Sequence, residues 1–124
     1  MVRYLGLGDA AARRVTAGQL IAGYRTLIRA AHARGIRIVG ATITPFKAPY
    51  ISDDAFQRAE AVRDQVNDWI RTSGAFDAVA DFARAVADPA DPDQLNPAYN
   101  SGDFLHPNDA GYRKIAASIN LNGL

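Results

Sequence analysis

The chain has 124 residues, 48% apolar and 22% charged, which describes one ordinary globular domain with room for a modest core. It contains no cysteine, which excludes disulfides, thiolate metal sites and a cysteine nucleophile. The net charge of +1 is unevenly spread: residues 1–50 hold eight Lys/Arg against one acid, residues 51–124 six against twelve. Arg25, Arg29 and Arg34 fall on an amphipathic stretch without interleaved aromatics, so they read as a solvated helix face and not as a nucleic-acid surface. No apolar run approaches the roughly 20 residues needed to cross a bilayer, and no membrane span is expected. The opening Met1-Val-Arg-Tyr-Leu-Gly6 carries no signal-peptide apolar stretch. The expectation is a soluble chain that is not exported by a leader of its own; its compartment stays open.

In chain order, Val2 to Leu7 reads as a short strand that ends in the turn Gly6-Leu-Gly-Asp9. Thr16 with Gln19 three residues on is a capping-box signature. Leu20, Tyr24, Leu27, Ile28 and Ala31 then recur at helical spacing, and Gly35 sits where a helix stop belongs. Ile36 to Ile43, rich in β-branched residues and bounded by Gly35 and Pro45, reads as a buried strand. Ser52 followed by Asp53 and Asp54 starts a second helix, with acids at the positive end of the dipole. Its buried stripe is Phe56, Ala59, Val62, Val66, Trp69 and Ile70, and Gly74 ends it. Phe76 to Ala80 is a third short strand, and Asp88 to Asp103 a loop rich in Asp, Pro and Asn. Asn108 caps a last helix whose Tyr112, Ile115, Ala116 and Ile119 are expected to face inward.

The order is β-α-β-α-β-loop-α, without an internal repeat or a linker, so residues 1–124 form one α/β domain with a parallel sheet covered on both faces. Ligands bind such sheets beyond the carboxyl ends of the strands. The loops of interest are therefore Gly8 to Arg14, Thr44 to Ile51 and Asp81 to His106.

Two histidines are present. His32 lies within the first helix beside Arg34 and reads as a surface or partly packed residue. His106 lies in Ser101-Gly-Asp-Phe-Leu-His-Pro-Asn-Asp-Ala-Gly-Tyr112, a loop that feeds straight into a helix. Asp103 precedes it by three residues. In a tight turn that spacing lets the carboxylate hold one ring nitrogen as a donor and leave the other free as a base. A helix-entry turn that uses Asp103 as a local cap explains the spacing about as well.

The wider pattern Asp-x-x-His-Pro-Asn-x-x-Gly-Tyr, here Asp103 to Tyr112, resembles the closing block of SGNH (GDSL-type) ester hydrolases. Upstream, Gly40-Ala-Thr-Ile-Thr-Pro-Phe46 is similar to the strand and turn of bacterial members. So are Arg63-x-x-x-Asn-x-Trp-Ile-Arg71 and Phe76-Asp-Ala-Val-Ala-Asp81. Leu5-Gly-Leu-Gly-Asp9 stands where the family has Gly-x-Asn-Asp. The resemblance implies a partial flavodoxin-like, three-layer α/β/α fold with a short parallel sheet. It also implies acyl transfer through a serine, with His106 as general base and Asp103 orienting it, and neither metal nor cofactor. A metal held by Asp103, His106 and Asp9 would have no specific spacing behind it. A small ester is the ligand class implied. The pair is expected at the carboxyl edge of the sheet, near Gly8 and Thr44.

The departures from the family are equally specific. No counterpart of the Gly-Asp-Ser block occurs, nor of the second block, so the chain is read as the C-terminal half of such an enzyme. The oxyanion region Gly6, Gly8 and Asp9 is degenerate: Gly8 replaces the Asn that would donate to the oxyanion. Losing one such donor typically costs about 2.7–4 kcal/mol of transition-state stabilisation. Ser101 is too close in sequence to Asp103 to face His106 easily, while Ser52, Ser73 and Ser118 read as helix caps or helix-surface residues. Thr42 and Thr44 resemble structural residues. The isolated chain is therefore expected to be inactive, either a base-bearing half completed by another chain or nucleophile, or a non-catalytic remnant that binds a ligand or partner. Because the family's first strand would lie beside Val2 to Leu7, that segment is expected to expose an open edge and pair about a twofold into a dimer.

Overall fold

A computed structural model describes the chain over residues 15–123. The expected strand Val2 to Leu7, its dimer edge, and Gly6, Gly8 and Asp9 all lie outside the described residues.

The first helix, α1 (Ala17–Ala33), starts as its sequence indicates. The Thr16 hydroxyl accepts from the Gln19 amide at 3.1 Å, and the Thr16 amide donates back to Gln19 Oε1 at 3.0 Å. Gly35 follows the helix with φ 67°. Ala17 and Ile28 are buried, but Leu27 is 59% exposed. At 100° per residue the buried line through Ala17, Leu20, Tyr24 and Ile28 leaves Leu27 on its margin, so this part of the expected stripe is corrected.

Strand β1 (Val39–Ala41) is shorter than the expected Ile36 to Ile43. It pairs in parallel with β2 (Ala78–Ala80), Val39 opposite Ala78 and Ala41 opposite Ala80. Both limits have a physical cause. Ile36 lies before the pairing starts and is 55% exposed. At the other end, Ile43 gives its backbone to a side chain: its amide donates to Asn67 Oδ1 at 2.7 Å and its carbonyl accepts from Asn67 Nδ2 at 2.9 Å. Likewise Phe76 is not in β2. Its ring packs edge-on against Tyr24 and Trp69, with centroids 6.0 and 5.8 Å away.

The crossover between the strands is α2 (Asp53–Thr72), capped by Ser52 and followed by Gly74 at φ 68°. Val66 and Ile70, fully enclosed, join Ala17 in the core, with Leu20, Ile21, Tyr24, Ile43, Val62, Trp69 and Phe76 around them. Each such aliphatic side chain contributes about 1.5–3 kcal/mol on burial. Beside them α2 also buries Glu60, Arg63 and Asn67. The Arg63 guanidinium grips both Glu60 oxygens and reaches the Ile43 carbonyl at 3.4 Å. Burial raises the Glu60 carboxyl above its ordinary value despite the pull of Arg63.

A short helix unmarked in the sequence reading, α3 (Phe82–Val86), follows β2 and is capped by Asp81. The last helix, α4 (Asp109–Ala117), starts at Asn108 as expected and packs against α3. Its inward face is not the expected one. Tyr112 is 54% and Ile119 37% exposed, and Ala116 is exposed as well, while Gly111 is buried and Ile115 half-buried. Gly111 lies so close to its neighbours that a Cβ there would meet Pro107 Cβ at 2.7 Å and the Tyr99 carbonyl oxygen at 2.8 Å, so only glycine fits. The architecture is α/β, with a short parallel sheet and helices packed in the pairs α1–α2 and α3–α4. Among the described residues no helix is long and apolar enough to cross a membrane.

Candidate active site

The loop from Ala87 to Asn108 is ordered by its own backbone. Antiparallel bridges join Ala87 to Leu95 and Asn100 to Pro107. Asn100 Oδ1 accepts from the Gly102 and Phe104 amides at 2.9 and 3.0 Å, and the Ser101 amide donates to the His106 carbonyl at 3.0 Å. Inside this turn the Asp103 carboxylate has two tasks. Oδ1 accepts from the Leu105 amide at 2.9 Å, the His106 amide at 2.7 Å and the Ser101 hydroxyl at 3.0 Å. Oδ2 lies 2.5 Å from His106 Nδ1. The two readings of Asp-x-x-His, local cap and imidazole partner, are thus both realised, one on each oxygen.

These bonds hold the Asp103 carboxyl far below the usual carboxylate range, the His106 amide first among them and the imidazole next. An ionised carboxylate only accepts, so Nδ1 of the neutral ring carries the hydrogen and Nε2 the lone pair. Nε2 has no hydrogen-bond partner among the described residues. Both side chains are about half exposed, 53% for His106 and 48% for Asp103. A base at this position can exchange protons with solvent or with a bound hydroxyl.

The turn is strained at one point. Phe104 has φ 62°, a left-handed conformation that costs an L-residue roughly 1–2 kcal/mol. The peptide before it is held from outside the loop: the Tyr50 hydroxyl donates to the Asp103 carbonyl at 2.5 Å. Tyr50 belongs to the Thr44 to Ile51 connection, which leaves the carboxyl end of β1. The Asp103–His106 loop is therefore joined to the carboxyl side of the strands, where α/β sheets bind ligands. Nothing in the sequence marks Tyr50, because an exposed tyrosine in a loop carries no pattern of its own. Beside the same connection, a pocket of about 260 Å³ is lined by Lys47, Pro49, Ile51, Asp53, Phe56 and Gln94.

Asp81, at the carboxyl end of β2, is bound to structure. It takes a paired Arg71 contact at 2.9 Å to each oxygen, the Thr42 hydroxyl at 2.9 Å and the Arg84 amide at 3.1 Å. Arg71 above all lowers its carboxyl to about 2. Thr42 also accepts from the Ala83 amide at 2.9 Å, which agrees with its structural reading. Ser52, Ser73 and Ser118 are helix caps, and Ser101 is bonded to Asp103. His32, at the other end of the strands, meets Asp77 Oδ2 through Nε2 at 2.8 Å. Among the described residues no group of three or more acids and histidines is arranged to hold a metal ion.

The parallel unit β1-α2-β2, with its crossover helix, defines a small α/β domain. The family model of the GDSL-like lipase/acylhydrolases matches residues 2–114, and the chain belongs to that family. No curated protein matches the chain.

Proposed function

We propose that Asp103 and His106 are the acid–base half of an ester-cleaving, acyl-transfer site. The 124 residues alone then hydrolyse esters negligibly. The observation that carries this reading is the 2.5 Å bond from His106 Nδ1 to Asp103, with Nε2 left unengaged among the described residues. In the reaction, Nε2 takes the proton of a serine hydroxyl as its oxygen attacks the ester carbonyl. It then returns that proton to the leaving alcohol, while Asp103 stabilises the imidazolium between the two steps. The Gly-Asp-Ser stretch of the family occurs nowhere in the sequence, and Gly8 brings no amide side chain to the oxyanion. The serine is therefore assigned to a partner chain or segment outside these residues.

The test uses p-nitrophenyl butyrate at neutral pH. The purified chain is expected to match its own His106→Ala variant. A version extended at its N-terminus by a strand bearing Gly-Asp-Ser is expected to show turnover that depends on both the serine and His106. Turnover by the chain alone that vanishes in His106→Ala would return the search to a nucleophile within it. If the extended version also stays silent, the reading of a non-catalytic, ligand- or partner-binding remnant replaces this one.

A further inference from the structure

Three interactions of the Asp103 carboxylate, with the Leu105 amide, the His106 amide and the His106 ring, span Phe104. They are made with the backbone at Phe104 in a left-handed turn, φ 62°, which an aromatic residue does not favour by itself. The peptide that joins Asp103 to Phe104 is gripped at both ends by side chains. Its carbonyl oxygen accepts from the Tyr50 hydroxyl at 2.5 Å, and its amide donates to Asn100 Oδ1 at 3.0 Å. Asn100 belongs to the loop itself and moves with it. Tyr50 is anchored elsewhere, on the connection that leaves β1. Leaving the left-handed region requires this peptide to turn, and turning breaks both grips.

We infer that Tyr50 is a positioning residue for the hydrolytic site: its hydroxyl locks the Asp103–Phe104 peptide in the orientation that keeps the Asp103 carboxylate on His106. Tyr50 is 65% exposed, so its ring contributes little packing that a phenylalanine would lose. The inference rests on the reading of His106 as the base. Its test measures the geometry of the pair and not turnover, so the two can fail separately.

The experiment compares the full chain with Tyr50→Phe, Phe104→Gly and the double variant. Its readouts are amide exchange at Leu105 and His106 and the low-field resonance of the His106 Nδ1 proton. Tyr50→Phe is expected to speed exchange at both amides about fivefold, the size of one hydrogen bond, and to weaken the resonance. The double variant is expected to recover both readouts, because glycine takes up φ 62° without penalty. Phe104→Gly alone should keep the resonance. Restoration by glycine separates a locked backbone from a general loss of stability, which glycine at one loop position would not repair. Unchanged exchange in Tyr50→Phe would overturn the inference, and so would faster exchange that the added glycine does not reverse.

Discussion

Among the described residues the domain holds two aspartate–histidine pairs, and they sit at opposite ends of the same two strands. Asp77 directly precedes β2, and His32 reaches its Oδ2 through Nε2 at 2.8 Å from α1. The same oxygen accepts from the Ile38 amide at 2.7 Å, just ahead of β1. That pair joins residues 45 apart in sequence and ties three elements together. The second pair is local, three residues apart, and among the described residues every bond to the Asp103 carboxylate comes from within residues 101–106. The first engages Nε2 and the second Nδ1. A carboxylate beside an imidazole thus marks no site on its own. What separates the two is which nitrogen stays free, and which end of the strands the pair occupies.

Activity should separate them most. In a serine-completed site, Asp103→Asn is expected to cut turnover about 10⁴-fold, since the amide no longer fixes the productive tautomer. Asp77→Asn should leave turnover essentially unchanged, and an equal loss from both would erase the distinction. The next effect is on stability. Asn67, 2% exposed, bonds both the amide and the carbonyl of Ile43, sharing the carbonyl with Arg63, just where β1 gives way to the connection bearing Tyr50. Asn67→Ala is expected to lower the unfolding free energy by about 2–4 kcal/mol in urea titrations. In the surviving native state, exchange should rise around Tyr50 and Asp103 and stay slow at Ile38.

Acid gives a smaller effect. Asp81 has its carboxyl lowered to about 2, chiefly by Arg71. A depressed carboxyl stabilises the fold above its unfolded value of 3.8, and the contribution fades as pH falls toward 2. With a quarter of the side chain exposed to screening solvent, about 1–2 kcal/mol should disappear between pH 5 and pH 2. Asp81→Asn should flatten that slope by the same amount. Asp77 is also lowered, first by the Ile38 amide, so the amino-side clasp should weaken in the same direction. A slope unchanged in Asp81→Asn would show that other carboxylates carry the acid transition.

What was legible beforehand follows from where the physics is local. The caps Thr16, Ser52 and Asn108 act within three residues, so spacing exposes them; Asp103 and His106 are equally local, but their spacing fits a cap as well, and the surrounding block Asp103 to Tyr112 is what singles them out. Strand ends did not show, because they depend on distant partners: the Asn67 side chain ends β1, and Phe76 leaves β2 for the helix core. The burial of Glu60, Arg63 and Asn67 breaks the rule that polar residues face solvent, and only their mutual and backbone bonds make it tolerable. Helix α3 is five residues long, too short for periodicity to register. The pair His32–Asp77 stayed hidden for the same reason as Tyr50: each contact joins elements far apart in sequence, by 45 and 53 residues.

The subtlest difference carries no large energy but decides the comparison most directly. An ionised carboxylate cannot donate, so each neutral imidazole places its hydrogen on the nitrogen that faces its aspartate. His106 should then be the Nδ1–H tautomer and His32 the Nε2–H tautomer. Long-range nitrogen–proton spectra, recorded well above the ordinary histidine range, separate the two forms because a bare ring nitrogen resonates far from a protonated one. Two histidines in one chain give an internal control without any substitution. Asp77→Asn should relax the His32 preference and leave His106 alone, and Asp103→Asn should do the reverse. If both rings proved Nε2–H, the lone pair of His106 would face Asp103 instead of a substrate. Such a ring could not take a serine proton through Nε2, and the difference between the two ends of the strands would then be one of position only.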